Sequence, residues 1–431
     1  VPAADAPAPP LPDGPSAPAA VQGPLFARDP QGALLRARRR HGPVFTLRLP
    51  LVGPVVVVAT PDAVERIAAR DPEAARAGAA RRGVLPQASA RSLFGSDGAE
   101  HRAVRARSAP PFDAARVEAR RAAMVARAEA HVDTWPTGRP LALLGRMRTL
   151  AEDLFLRFVL GVEDDARARE LTRIVGRILR TPGNPPLAPP DRDQAPPLGA
   201  LLHLEVERRL RPLRAFLTRE VAERRAGRTA PAGGLIDHVA GTDMDDGRIV
   251  DELLVVLAAA QEPMAIGLTR VTDRYARDPA LVEHLLATGP DDPTFDAVAS
   301  EALRLHPPAL ASLRQLTVPT EVAGHALPAG TNVMVPFPLL HRDPDVFPDP
   351  HRFDPARFLG VPPPPTLLPF GVGERRCPGE PLAGVELRAV VPTVLRRLRL
   401  QPLSPEPERA VQRATVLVPQ RSGLTLAHAR A

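Results

Sequence analysis

Apolar positions along the chain recur mostly at three- and four-residue spacing, the period of a helix with one buried face. That spacing predicts helices over roughly 30–41, 61–70, 98–108, 114–133, 143–161, 164–180, 201–227, 247–277, 280–288, 294–305 and 379–397. Strand patterns are fewer. "GPVFTLRLPLVGPVVVVAT" reads as two strands about a Gly-Pro turn, and short strands are expected near 314–323 and 331–336. The end, "RATVLVPQRSGLTLAHA", reads as a hairpin. Residues 73–95 carry neither period, 181–197 form a proline-rich loop, and 341–369 a Pro-rich meander. With no internal repeat, the reading is mainly α with a minor β region. A single large domain is expected over 25–431, preceded by a disordered Pro/Ala-rich leader over 1–24.

One helix breaks the local rules. "LLVVLAAAQEPMAIGLTR" (253–270) is apolar enough to be buried on all sides, yet Pro263 lies inside it, directly after Gln261 and Glu262. Proline cannot donate to the carbonyl four residues back and clashes with it, at a cost of ~3 kcal/mol or more. A kink is expected, with the Ala259 carbonyl left free to hold a water beside Gln261 and Glu262.

Composition narrows the function classes. Basic residues number 56 and acidic 49, a formal charge of +7, and every basic residue is arginine. The arginines interleave with acids, and aromatics make up 3% of the chain, which leaves few stacking platforms and argues against nucleic-acid binding. The one cysteine, Cys377, excludes an intramolecular disulfide, and no apolar run approaches the ~20 residues of a membrane span. A cytoplasmic monomer is expected.

The densest chemistry is "PFGVGERRCPGEPLAGVEL" (369–387), where four glycines and three prolines surround Cys377. Gly371 and Gly373 permit a tight turn and close backbone approach to a flat ligand. Cys377 precedes a predicted helix whose first amides favour a thiolate. Phe370, Gly371, Gly373, Arg375, Cys377 and Gly379 together resemble the F-G-x-G-x-R-x-C-x-G loop of the cytochrome P450 family. The resemblance implies a P450 fold, haem b (iron protoporphyrin IX) as cofactor and Cys377 as its metal ligand, a thiolate whose electron donation favours O–O cleavage.

Further positions extend the resemblance over nearly the whole chain. Glu301 and Arg304 in "SEALRLHPP" are, alone, a helix ion pair worth ~0.2–0.5 kcal/mol. About 70 residues before the cysteine they resemble the family's E-x-x-R pair, with Arg357 in "FDPARF" completing the network. His101 and Arg105 in "HRAVR", Arg314 in "ASLRQL" and Arg375 match family positions that hold the haem propionates. Ala259, Ala260, Gln261, Glu262 and Pro263 fall on the A/G-G-x-D/E-T motif above the haem, so Glu262, Gln261, Pro263 and Ala259 are the candidate catalytic positions. The acid is kept, the threonine is replaced by Pro263, and Thr269 lies more than a turn away.

The resemblance implies oxidative tailoring of a small, largely apolar organic metabolite, with electrons from a ferredoxin and ferredoxin reductase. The missing threonine leaves a second reading open: coupling, cyclisation, desaturation, rearrangement or peroxide-driven chemistry without ordinary oxygen insertion. A third is a non-catalytic haem-binding partner protein. Arg102, Arg107 and Arg376 are expected to make a basic face for an acidic ferredoxin. Substrate contacts are expected from 73–95, 175–205, 256–264, 307–313 and 412–418, with Gln87, Ser89, Asn184, Gln261 and Ser312 as polar candidates.

Overall fold

The computed structural model describes residues 10–50, 52–69, 74–82, 92–179, 197–413 and 415–430. Gln87, Ser89, Asn184 and nearly all of the proline-rich stretch at 181–197 lie outside the described residues. The rest is mainly helical, as the apolar spacing predicts, with the strands gathered in small sheets.

The run "VVVV" explains why the largest sheet is central to its own region. Strand Gly53–Val58 pairs antiparallel with Val44–Leu49 and parallel with Asn332–Pro336, which in turn pairs with Ala311–Leu316. Val56 and Val58 face one apolar cluster with Val333 and Val335, while Val55 and Val57 face another with Phe45 and Met334. A strand covered on both faces reads as a continuous hydrophobic run, not an alternating one.

The helical core surrounds one 31-residue helix, Asp246–Ala276. Asp245 caps it by accepting from the Arg248 amide at 2.8 Å. Helices Leu143–Leu154, Pro197–Arg225, Pro293–Leu305 and Glu380–Arg397 pack around it, as its all-round apolar sequence requires. The helix runs unbroken through Pro263. The hydrogen bond lost there does not end it, because the helices packed around it hold the backbone.

Several expectations are corrected. The predicted helix at 114–133 is two, Ala114–Glu118 and Arg121–Val132. The Arg120 guanidinium at the break donates to the Phe158, Ala232 and Gly233 carbonyls. The one predicted at 143–161 is α-helical over Leu143–Leu154 and widens to a π-turn at Phe155–Val159. The C-terminal hairpin does not form. Val416–Pro419 pairs with Ala410–Arg413, whereas Leu424–Ala429 pairs with Leu398–Pro402 and Pro140–Ala142. Between them Ser422 and Gly423 have φ of 63° and 65°, and Glu408 accepts the amides of Arg421, Gly423 and Leu424, which turns the chain to a new partner.

Within the expected leader, residues from 10 onward are held by specific contacts. Thr46 donates its amide to the Asp13 carbonyl (3.2 Å) and its hydroxyl to that of Pro12 (2.6 Å). A Cβ on Gly14 would collide with the Thr46 carbonyl. Buried Gln22, in helix Ala19–Arg28, donates to the Pro15 and Ala17 carbonyls and accepts the Arg48 amide. Order here comes from an edge strand and one glutamine, which a Pro/Ala-rich composition does not display.

Candidate active site

The cysteine loop is built by its glycines. Gly371 and Gly373 have φ of 77° and 65°, the left-handed region in which other residues are strained. The Gly371 amide donates to the Leu368 carbonyl (3.0 Å), and the Cys377 amide donates to that of Phe370 (2.8 Å). The chain then enters helix Glu380–Arg397. Cys377 is exposed, yet desolvation by the surrounding protein is the largest influence on its thiol and pushes its pKa up. The Gly379 amide hydrogen-bonds the sulfur and favours the thiolate, as the loop predicts, but burial outweighs it. A coordinating cation reverses that balance, since a metal-bound thiol is deprotonated.

Near the cysteine lies a cradle of positive charge. His101 is buried on helix Gly98–Ser108, one turn before Arg105. Burial, then Arg375, Arg105 and Arg81, lower its pKa to about 3, so it is neutral at ordinary pH. Its Nδ1 is buried without a hydrogen-bond partner among the described residues. Arg314 is 1% exposed and donates to the Ser312 hydroxyl (2.6 Å) and the Leu313 carbonyl (3.0 Å). Ser312, expected against substrate, is therefore engaged by Arg314. Arg375 donates to the carbonyls of Leu93 (3.1 Å) and Ser96 (2.5 Å) and pairs with Asp97 (2.8 Å). An orphaned buried imidazole nitrogen acted on by Arg375, Arg105 and Arg81 fits the two carboxylates of an iron porphyrin.

Behind the loop, Glu301 and Arg304 are both fully buried and bonded twice, at 2.6 and 2.8 Å. Arg304 also donates to the carbonyls of His341, Pro350 and Arg352, and Glu301 accepts the Asp354 amide at 2.8 Å. Arg357 lies 3.6 Å from Glu301. The chain's linear pattern did not single out His341. Its Nδ1 meets the Arg304 carbonyl at 3.1 Å and its Nε2 accepts the Leu368 amide at 2.8 Å, which joins this network to the cysteine loop. The Leu368 amide can only donate, so the proton sits on Nδ1. Burial, reinforced by Arg342, holds the His341 pKa at about 3.

The central helix opens where its sequence is odd. Residues before Ala258 and after Met264 are mostly buried, whereas Ala258, Ala259, Ala260, Pro263 and Met264 are partly accessible. Gln261 is buried, and its Nε2 has no partner among the described residues. Glu262, expected to serve the space above the haem, is instead engaged at both carboxylate oxygens by Arg148 of helix Leu143–Leu154, with Nε to Oε2 at 2.7 Å. Arg148 lies 114 positions away, so no local spacing announces it. Thr269 donates to the Ala265 carbonyl of its own helix (2.7 Å) and does not replace a hydroxyl at 263.

The expected basic face is largely neutralised from within. Arg102 pairs with Glu374 (3.4 Å), Arg107 with Asp243 (3.2 Å) and Arg376 with Glu380 (2.5 Å). A separate cleft of about 770 Å³, lined by Arg224, Arg225, Asp237 and Asp245 among others, shares no residue with the cysteine loop.

A family model described as Cytochrome P450 matches residues 291–426. Cytochrome P450 135B1 of Mycobacterium tuberculosis is 33% identical over 428 residues, covering 95% of this chain and 90% of the relative. Cytochrome P450 138 of Mycobacterium bovis is 30% identical over 437 residues, covering 97% of each. Among solved structures, retinoic-acid-bound cyanobacterial CYP120A1 matches with a TM-score of 0.80 over 98% of this chain and 100% of that one. Its identity is 19%, so the likeness concerns the fold. CYP175A1 from Thermus thermophilus matches with a TM-score of 0.69 at 27% identity, over 94% and 96% of the two chains.

Proposed function

The chain belongs to the cytochrome P450 family, and from that membership we propose that it oxidises a small, largely apolar organic metabolite, with Cys377 as the iron's ligand. The family is one of haem-thiolate monooxygenases. The observation that carries the assignment of Cys377 is the glycine-turned loop that presents its thiol, with the sulfur hydrogen-bonded by the Gly379 amide. Among the described residues no helix is long and apolar enough to cross a membrane.

The cofactor, when bound, supplies oxygen activation and one-electron chemistry. The protein supplies position, exclusion of water and protons. With haem bound, His101, Arg105, Arg314 and Arg375 would hold the two propionates by charge and N–H donation. Glu301, Arg304 and Arg357 lock the meander, and His341 passes that rigidity to the cysteine loop. Ala258, Ala259, Ala260 and Met264 offer a smooth apolar wall that selects substrates by shape more than by hydrogen bonds. The Ala259 carbonyl, which Pro263 cannot satisfy, holds a water on that wall. Protons reach that water past Glu262, whose carboxylate Arg148 holds at both oxygens. A ferredoxin and its reductase are the proposed electron source, steered only weakly because the nearby arginines are already paired.

One observation favours a second reading. Position 263 has no hydroxyl, and the neighbouring acid is tied to Arg148. That combination suits coupling, cyclisation, desaturation, rearrangement or peroxide-driven turnover better than ordinary oxygen insertion. Product analysis with an electron-transfer pair, and separately with peroxide alone, decides between them. Incorporation of labelled oxygen from dioxygen into product supports insertion; oxidised product without the label supports the second reading.

A further inference from the structure

The proposed propionate arginine is not available to a propionate alone. Arg375, whose side chain is 2% exposed, gives one terminal nitrogen to the Leu93 carbonyl and the other to the Ser96 carbonyl and the Asp97 carboxylate. Asp97 is itself clamped. Its two oxygens accept the amides of Gly78 (2.7 Å) and Ala79 (2.9 Å), and Arg82 stands 3.8 Å away. A side chain on Gly78 would run into the Gly95 and Ser96 carbonyls, so the clamp closes only around glycine. Arg375, Arg105 and Arg81 act on neighbouring His101 as positive charges, and Asp97 opposes them.

We propose that Asp97 is a positioning residue for electron uptake: its fixed carboxylate holds Arg375 against the 93–97 turn, offsets that arginine's charge beside the haem, and so lowers the iron's reduction potential. This rests on the haem-thiolate reading above. Reduction adds one electron, and hence one negative charge, to a site enclosed by protein. A fixed anion there opposes it, more strongly than the same anion in water. A neutral side chain of the same shape still accepts an amide proton but no longer repels the electron.

The test is the ferric–ferrous midpoint potential of the haem-loaded protein, measured by dye equilibration without turnover. Asp97→Asn is expected to shift the equilibrium about tenfold toward the reduced form, ~59 mV for one electron. Arg82→Gln, at a more exposed position, unmasks the same carboxylate and is expected to shift it about twofold the other way. A role confined to holding the fold alters haem retention or melting and leaves both potentials in place. If Asp97→Asn does not take up haem, Arg82→Gln decides: a lowered potential supports the proposal, and an unchanged or raised one overturns it. An unmoved potential in a well-loaded Asp97→Asn variant overturns it directly. A wild-type protein without a thiolate–haem spectrum fails the underlying reading instead.

Discussion

Pro263 and Glu262 are adjacent, yet the sequence discloses one far better than the other. The consequence of Pro263 is covalent: it has no amide hydrogen, so the loss of the bond it would give to the Ala259 carbonyl follows from the residue alone. The situation of Glu262 depends on Arg148, which only the packing of two helices brings near. Cys377 was legible for the first kind of reason, because Gly371 and Gly373 adopt backbone angles that other residues resist. Asp97 and His341 were not, since each works through backbone groups distant in the chain. The residue-scale prediction concerns protons. Pro263→Thr restores a hydroxyl without disturbing the Glu262–Arg148 pair, and is expected to raise the ratio of product formed to peroxide released. An unchanged ratio, measured alongside electron consumption, contradicts a role for this position in proton delivery.

Elements were legible where one buried face fixes a period. The central helix was expected over 247–277 and spans Asp246–Ala276, because its apolar sequence and its Asp245 cap agree. Where a strand's partner is chosen by distant chain, the local pattern misleads: 413–429 reads as a hairpin, yet the C-terminal segments each pair with a different neighbour. Helix Pro293–Leu305 shows how an element acts beyond itself. Through Glu301 and Arg304 it collects three carbonyls and the Asp354 amide from the meander. Removing one partner of a buried ion pair strands the other, at about 3–5 kcal/mol. Glu301→Ala is therefore expected to yield protein that does not retain haem, read as the ratio of Soret to protein absorbance. Full haem content in that variant contradicts the network's role.

The whole molecule keeps several ionisable groups neutral, and its stability depends on pH in two opposing ways. His341 is held near 3 and His306 well below its ordinary value, both chiefly by burial. As pH falls through the unfolded histidine value of about 6.5 toward 3, the unfolded chain gains protons that the folded chain refuses, and stability is lost. Glu386 behaves in the opposite sense. Burial raises its pKa to about 8, so its contribution is complete below the unfolded carboxylate value and declines as pH rises toward 8. Glu386→Gln is expected to be more stable than wild type at pH 8 by more than about 1.4 kcal/mol, the worth of one pKa unit. The difference should vanish below about pH 4. Denaturant titrations at the two pH values check this, and a pH-independent difference contradicts it.

All of this turns on whether Cys377 holds the iron. The most direct measurement is the difference spectrum of the reduced, carbon-monoxide-treated protein, recorded for wild type and Cys377→Ala reconstituted with haem. The account predicts the red-shifted Soret band of a thiolate-ligated haem in wild type and its loss in the variant. A wild-type spectrum without that band, or a variant that keeps it, contradicts the account.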